Sequence, residues 1–408
     1  MRGYWMLDHN LTPMWNILLL ATCQLISATG SIVVVTLGGI IGARLSSNPA
    51  MATLPISIMV VAVASTTVPA TMLMRAIGRR RGFMLASLSA ATAVLLAVFA
   101  LTTSSFSWFI AAAGLFGVNL AFTQQYRYAA AESVEPAFAP RAISLVLIGA
   151  IGGALIGPEL IRLGEHFIAS VQFAGTLAAL AVLYLVQSML FLFLRPLRGE
   201  HGEIHAVPGR PLSQIVRQPV FIVAVLGGTA AYGVMTLIMT ATPLSMHIND
   251  GYSVEQTAHV IRTHVLAMYL PSLFTGFLIE RLGIGRLMTS GAVALLSACA
   301  IGLQGQSVMH YTFSLVLLGV GWNFLYVGGT SMLTLTYSMS ERFKAQAVNE
   351  FSVFGTSATA SLLAGTVMHV YGWTTLVVVP LPLLLLILAG LYVVRRDARL
   401  RRLSPARS

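Results

Sequence analysis

Charge is what this chain most lacks. Asp, Glu, Lys and Arg make up only 9% of its 408 residues and 57% are apolar, whereas roughly a quarter of a soluble domain is charged. A soluble globular fold is excluded, because most side chains must face lipid or other buried helices. Cysteine is almost missing as well. Cys23 and Cys299 fall in apolar runs with no CxxC or Cys/His spacing, so they read as packing residues and imply neither a disulfide framework nor a zinc site. Lysine occurs once, at Lys344, and the bias toward arginine hints at a GC-rich bacterial genome. No nucleophile–base pair, metal cluster or phosphate-binding loop stands out. An enzyme is not expected, nor any cofactor or metal.

What the chain has in abundance is long apolar sequence. Twelve runs can be counted, over 14–42, 50–74, 83–103, 106–130, 142–163, 171–194, 219–244, 256–279, 287–305, 309–335, 346–369 and 374–394. Each approaches the roughly 20 residues that cross a hydrocarbon core, and each should be helical, since an unpaired backbone group in lipid is too costly. The first run is too long for a signal-peptide core and lacks a small-residue cleavage site, so it reads as a spanning helix. The 36 glycines suit close packing of membrane helices. With alternate loops assigned to one side, 21 of the 24 basic residues fall on that side, leaving Arg44, Arg162 and Arg262 elsewhere. Basic residues stay cytoplasmic during insertion. The net charge of +11 is therefore a topology signal rather than a nucleic-acid surface. Both termini should be cytoplasmic, and the loops near Ser105, His247 and Gln306 periplasmic.

The sequence also repeats itself. Gly117-Val-Asn119-Leu-Ala-Phe122 returns as Gly321-Trp-Asn323-Phe-Leu-Tyr326, all three positions of G-x-N-x-x-[FY] shifted by 204 residues, half the chain. Leu73, Gly78 and Arg81 return as Leu278, Gly283 and Arg286, each 205 later, in a short polar loop. A duplicated bundle of membrane helices points to a secondary transporter, whose related halves rock about a central site. The expected organisation is a six-helix bundle over 1–195, a cytoplasmic linker over 196–218, a second six-helix bundle over 219–396 and a basic tail over 397–408 that can meet anionic lipid. His201 and His205 in the linker read as solvated side chains rather than metal ligands.

These features resemble the major facilitator superfamily. Its G-x-x-x-[DE]-R-x-G-R-[RK] signature between the second and third helices is carried in the second half by Gly276-Phe-Leu-Ile-Glu280-Arg281-Leu-Gly283-Ile-Gly-Arg286. The first half keeps Gly78, Arg79 and Arg80 but has Thr71 where the first glycine belongs and Arg75 where the acid belongs. Glu132–Arg141 and Glu341-Arg342-Phe-Lys344 resemble the family's acidic-then-basic segments. Gly153-x-x-x-Gly157-Pro158 is part of a motif linked to antiporters but lacks the glycine pair after Pro158, and Ala113 stands near the place of an arginine frequent in drug exporters. The resemblance implies an all-α membrane protein with twelve transmembrane helices in two pseudo-symmetric six-helix bundles, in a bacterial inner membrane, acting as a monomer.

The resemblance also implies that helices 1, 4, 7 and 10 line a central cavity. Polar side chains on those spans are costly and default to function. They are Gln24 on the first, Asn119, Phe122, Tyr126 and Arg127 on the fourth, Tyr232, Thr236 and Thr240 at helical spacing on the seventh, and Trp322, Asn323 and Tyr326 on the tenth. Together they suit a planar or amphipathic solute that hydrogen-bonds. The alternative for Asn119 and Asn323 is a purely structural bond across helices. For Arg127 it is an interfacial arginine paired with Glu132 or snorkelling. No carboxylate lies centrally on the first or fourth span, which argues against organic cations and leaves neutral or anionic solutes.

Proton-coupling or gating candidates are Glu159, His259, Arg262, His264 and Glu350, with Glu280 and Arg281 of the signature forming an inner latch. Glu159 could meet Arg262 as an outer gate, or Arg162 three residues along its own helix. The expected activity is secondary transport of a small organic solute by alternating access, with proton coupling. The alternatives are a non-transporting sensor or scaffold and a multidrug or metabolite efflux antiporter.

Overall fold

A computed structural model of the protein describes residues 4–47, 51, 54–164, 166–168, 171–197 and 209–397. His201, His205 and most of the tail lie outside the described residues. Among the described residues there is no strand, and the chain forms two compact units. One comprises Met1–Val134 and Leu145–Glu203, the other Glu135–Ser144 and Ile204–Ser408.

The first unit is built from α1 (Tyr4–Leu45), α2 (Leu54–Ile77), α3 (Arg79–Thr102), α4 (Phe106–Thr123), α5 (Tyr126–Glu132), α6 (Ala139–Gly164, whose first turns belong to the second unit) and α7 (Ala174–Leu190). Its core is made by Val33, Leu37 and Ile41 of α1, the Ala90/Ala93/Ala97 face of α3 and Phe109 and Phe116 of α4. The second unit holds α8 (Leu212–Val216), α9 (Pro219–Pro243), α10 (Val254–Tyr269), α11 (Ser272–Leu282), α12 (Ile284–Gln304), α13 (Val308–Leu333), α14 (Arg342–Val378) and α15 (Leu381–Val394). At its start, Arg210 donates from its backbone N–H, Nε and Nη2 to the Glu341 carboxylate, each at 2.7 Å. Those bonds hold the guanidinium pKa above its ordinary value.

Ten helical stretches among the described residues are long and apolar enough to cross a membrane, the bent pair α10–α11 makes an eleventh, and division of the last stretch at Gly372 gives twelve spans. α4 and α5 make one crossing, interrupted at Gln124–Gln125. α10 and α11 make another, bent by 42°, where the sequence suggested one continuous helix over 256–279. The apolar stretch Met339–Val394 is 56 residues long, far beyond one crossing. Gly372, at φ 75, breaks the helix geometry inside it and divides it into the last two spans.

The duplication is visible in the backbone. Gly78 lies between α2 and α3 at φ 85, ψ 157, and Gly283 lies between α11 and α12 at φ 85, ψ 153. A left-handed φ of that kind favours glycine, so the 205-residue offset is a true structural equivalence there. It does not persist. α3 has 24 residues and α12 has 21, and the N-caps of the next spans, Ser105 and Ser307, stand only 202 apart. A Cβ at Gly117 would lie 2.3 Å from the Met59 carbonyl oxygen, and one at Gly319 would lie 2.8 Å from the His264 oxygen. Met59 and His264 are again 205 apart, so Gly319, not Gly321, is the partner of Gly117. The sequence match at 204 is therefore out of register by two positions, about 200° around a helix. Asn119 and Asn323 occupy different faces of related helices.

Candidate functional site

The second unit gathers five aromatic rings from four helices. Tyr232 of α9 is the hub, with ring centroids 5.4 Å from Trp322, 5.0 Å from Tyr326 and 5.1 Å from Phe354. Trp322 and Tyr326 sit four residues apart on α13, the spacing that stacks side chains on one helix face, and their rings lie 4.9 Å apart at 25°. Tyr269, the last residue of α10, meets Trp322 edge-on at 5.6 Å. Edge-to-face and offset contacts of this kind are the favoured aromatic geometries. Trp322, Tyr326 and Phe354 are buried, while Tyr232 and Tyr269 are only half-buried and form the accessible side of the cluster. The Trp322 Nε1–H is buried without a hydrogen-bond acceptor. Along α9, exposure grows from half-buried Tyr232 and Thr236 to exposed Thr240, and Thr236 shares a 2.8 Å hydrogen bond with Ser357.

Asn323 is adjacent to this cluster in sequence but faces elsewhere. Fully buried, it donates to the Met268 carbonyl and Ser272 Oγ and accepts from Thr275 Oγ1, each at 2.7 Å. Asn119 is also fully buried, yet neither its amide nitrogen nor its oxygen has a partner. Of its expected companions, Gln24 is half-buried and Phe122 is buried. Tyr126 is packed against Phe83 and Phe191, its hydroxyl accepting from Gln187 Nε2 at 2.7 Å. Arg127 is buried rather than snorkelling. Its guanidinium lies 4.6 Å over the Tyr128 ring and donates to the Gln124 carbonyl at 3.0 Å.

The signature loop of the second half explains its own residues. Glu280 forms an ion pair with Arg141, whose guanidinium also lies 4.4 Å over the Phe277 ring. A Cβ at Gly276 would stand 2.8 Å from Arg141 Cα, so only glycine admits the approach. Gly276, Phe277 and Glu280 thus receive one arginine, at the start of α6. Arg281 is exposed. The first half, with Thr71 and Arg75, cannot repeat this, and Arg75 is exposed.

The remaining ionisable candidates are dispersed. Glu159 takes its local option, accepting from Arg162 Nη2 at 2.7 Å with both side chains exposed. His259 and Arg262 are exposed. His264 is fully buried, its Nδ1 donating to the Leu315 carbonyl at 2.7 Å. Glu350 is fully buried and accepts from Asn349 Nδ2 at 2.9 Å. Sequence reasoning missed Tyr269 and Phe354, because both lie on spans outside the four assigned to the cavity. Pro271, two residues after Tyr269, was the available signal of irregular backbone there.

Comparison with known proteins agrees with this architecture. A model of the Major Facilitator Superfamily matches residues 20–261 and 236–408. The riboflavin transporter RfnT of Brucella anthropi is 39% identical over 378 residues, covering 92% of this chain and 94% of its own length. The uncharacterized MFS-type transporter YdeG of Bacillus subtilis is 28% identical over 85% of this chain and 84% of its own. Among solved structures, the E. coli fucose:proton symporter FucP superposes with a TM-score of 0.74 at 14% identity, over 94% of this chain and 99% of that one. The human organic anion transporter MFSD10 gives 0.73 at 15% identity, over 93% and 99%. These two likenesses concern the fold.

Proposed function

The chain belongs to the Major Facilitator Superfamily and is a multi-pass membrane transporter of that type, and we propose that its solute is riboflavin or a closely related flavin. The observation that carries this reading is the five-ring cluster around Tyr232, with its half-buried tyrosines and the unpaired Trp322 Nε1–H. A planar heteroaromatic solute can stack on such a surface, each aromatic contact contributing about 0.5–1.5 kcal/mol, while its ring carbonyls accept hydrogen bonds. The 39% identity to a riboflavin transporter over nearly the whole chain supports the same class. The protein works by alternating access, driven by protons, in the inner membrane of a bacterium with both termini cytoplasmic.

The test is riboflavin flux in proteoliposomes, with and without an imposed pH gradient. Saturable uptake should appear and be enhanced by the gradient. Trp322→Leu and Tyr232→Leu should each raise KM about tenfold, the effect of losing about 1.4 kcal/mol of binding. No saturable riboflavin flux in either direction would reject the assignment.

A further inference from the structure

The crossing made by α10 and α11, the eighth span in chain order, is broken at Leu270 and Pro271. Proline has no backbone N–H and its ring clashes with the carbonyl four residues earlier, which accounts for the 42° bend. Inside lipid, a carbonyl released by such a break must find a donor within the protein. On the far side, the Thr275 N–H donates to the Pro271 carbonyl at 2.9 Å, which leaves the Thr275 hydroxyl proton for Asn323 Oδ1. On the near side, the Met268 carbonyl receives a donor from another helix, Asn323 Nδ2.

That one amide reaches both sides of the break. It holds Met268 before it and Ser272 and Thr275 after it. Both amide hydrogens are committed, and neither is left for a solute. The seam leading to the break is equally close. Leu315, Gly319 and Asn323 recur every four residues along α13. His264 donates to the Leu315 carbonyl, and a Cβ at Gly319 would stand 2.8–2.9 Å from the His264, Ala267 and Met268 backbone. Consecutive residues of the two helices then meet in register. Asn323 binds Met268, and its neighbour Trp322 packs edge-on against Tyr269.

We propose that Asn323 is a positioning residue of the solute site: it touches no solute, but by clamping the bend at Pro271 it fixes where Tyr269 stands against Trp322. This rests on the reading that the aromatic cluster receives the flavin. Without the clamp, the bend that Pro271 imposes is no longer held at a fixed angle, and Tyr269 leaves its place beside Trp322.

The full chain in proteoliposomes, with riboflavin as probe, tests this by uptake and by quenching of riboflavin fluorescence on binding. Asn323→Leu removes both donors. Asn323→Asp keeps the acceptor for Thr275 but turns an oxygen toward the Met268 carbonyl. Both should raise KM and Kd about tenfold with turnover at saturation held within about twofold, the pattern of lost binding rather than lost chemistry or folding. Adding Pro271→Ala to Asn323→Leu should restore the yield of folded protein, because span eight regains its own backbone donor, while KM and Kd stay high. Wild-type KM and Kd in either folded single variant would overturn the proposal, as would their recovery in the double variant. Trp322→Leu separates the two readings. If it binds riboflavin like wild type, the cluster is not the site. If it loses affinity while the Asn323 variants keep theirs, the cluster stands and the positioning role falls.

Discussion

Arg79 and Glu132 form a two-bond ion pair with both side chains buried. Arg79 Nε donates to Glu132 Oε2 at 2.7 Å and Nη2 to Oε1 at 2.6 Å, and the arginine is fully enclosed. Gly78 turns the chain so that Arg79 begins α3, while Glu132 ends α5. The pair therefore ties the start of the third span to the end of the fourth inside the first unit. The sequence placed Arg79 on the cytoplasmic side and in the first-half signature loop; the structure adds a partner 53 residues away.

Removing either member leaves the other charge enclosed without its counter-charge, which costs about 3–5 kcal/mol. Arg79→Met and Glu132→Gln should each lower the thermal unfolding midpoint of the detergent-solubilised protein markedly. Arg79→Met/Glu132→Leu should recover part of the loss, because an apolar replacement of both partners avoids the stranded charge. Single variants as stable as the parent would show that the pair contributes nothing to the fold.

The signature loop gives a second prediction through its asymmetry. Glu280 pairs with Arg141, and Gly276 admits the arginine's backbone, whereas Arg75 is exposed at the corresponding place in the first half. A hydrogen bond to a charged group contributes about 1.5–3 kcal/mol, so Glu280→Gln should reduce turnover roughly ten- to hundredfold if the pair serves the transport cycle. Gly276→Val should do the same by steric exclusion, and Arg75→Gln should change little. Equal losses from Glu280→Gln and Arg75→Gln in initial-rate uptake would mean that both halves carry a latch.

Twelve apolar spans and a duplicated signature loop were legible because lipid imposes length, composition and helicity on every crossing, and because the turn at Gly78 and Gly283 needs glycine. That Asn119 and Asn323 are not equivalent was not. A three-residue shortening of α12 shifts the register of the span that follows, and no local sequence feature marks it. The aromatic cluster was half legible: Tyr232, Trp322 and Tyr326 stood out on spans assigned by resemblance. Tyr269 joins them only because Pro271 bends span eight, and Phe354 is an unremarkable apolar residue until α14 packs against α9. Glu159 had two plausible partners at the level of sequence, and the one three residues away is bonded.

Glu350 offers the sharpest test of proton coupling. A carboxylate within a spanning helix is costly and defaults to a functional role, and this one is fully buried on α14. It accepts from Asn349 Nδ2 at 2.9 Å. Asn349 in turn packs near Gly228 of α9, where a Cβ would lie 3.7 Å from its Oδ1, one helical turn before Tyr232. An ionised carboxylate only accepts hydrogen bonds, whereas a protonated one also donates. Binding or losing a proton therefore changes what the carboxyl can offer its neighbours, among them Asn349, and Asn349 borders the helix that carries the hub of the aromatic cluster. Glu350→Gln fixes the neutral form at nearly constant shape. It should abolish riboflavin accumulation driven by a pH gradient while leaving exchange of labelled for unlabelled riboflavin intact. A pH-sensitive dye inside the liposomes should show no riboflavin-dependent proton movement in this variant. Undiminished gradient-driven accumulation in Glu350→Gln would remove Glu350 from the coupling mechanism and leave it a buried structural acid.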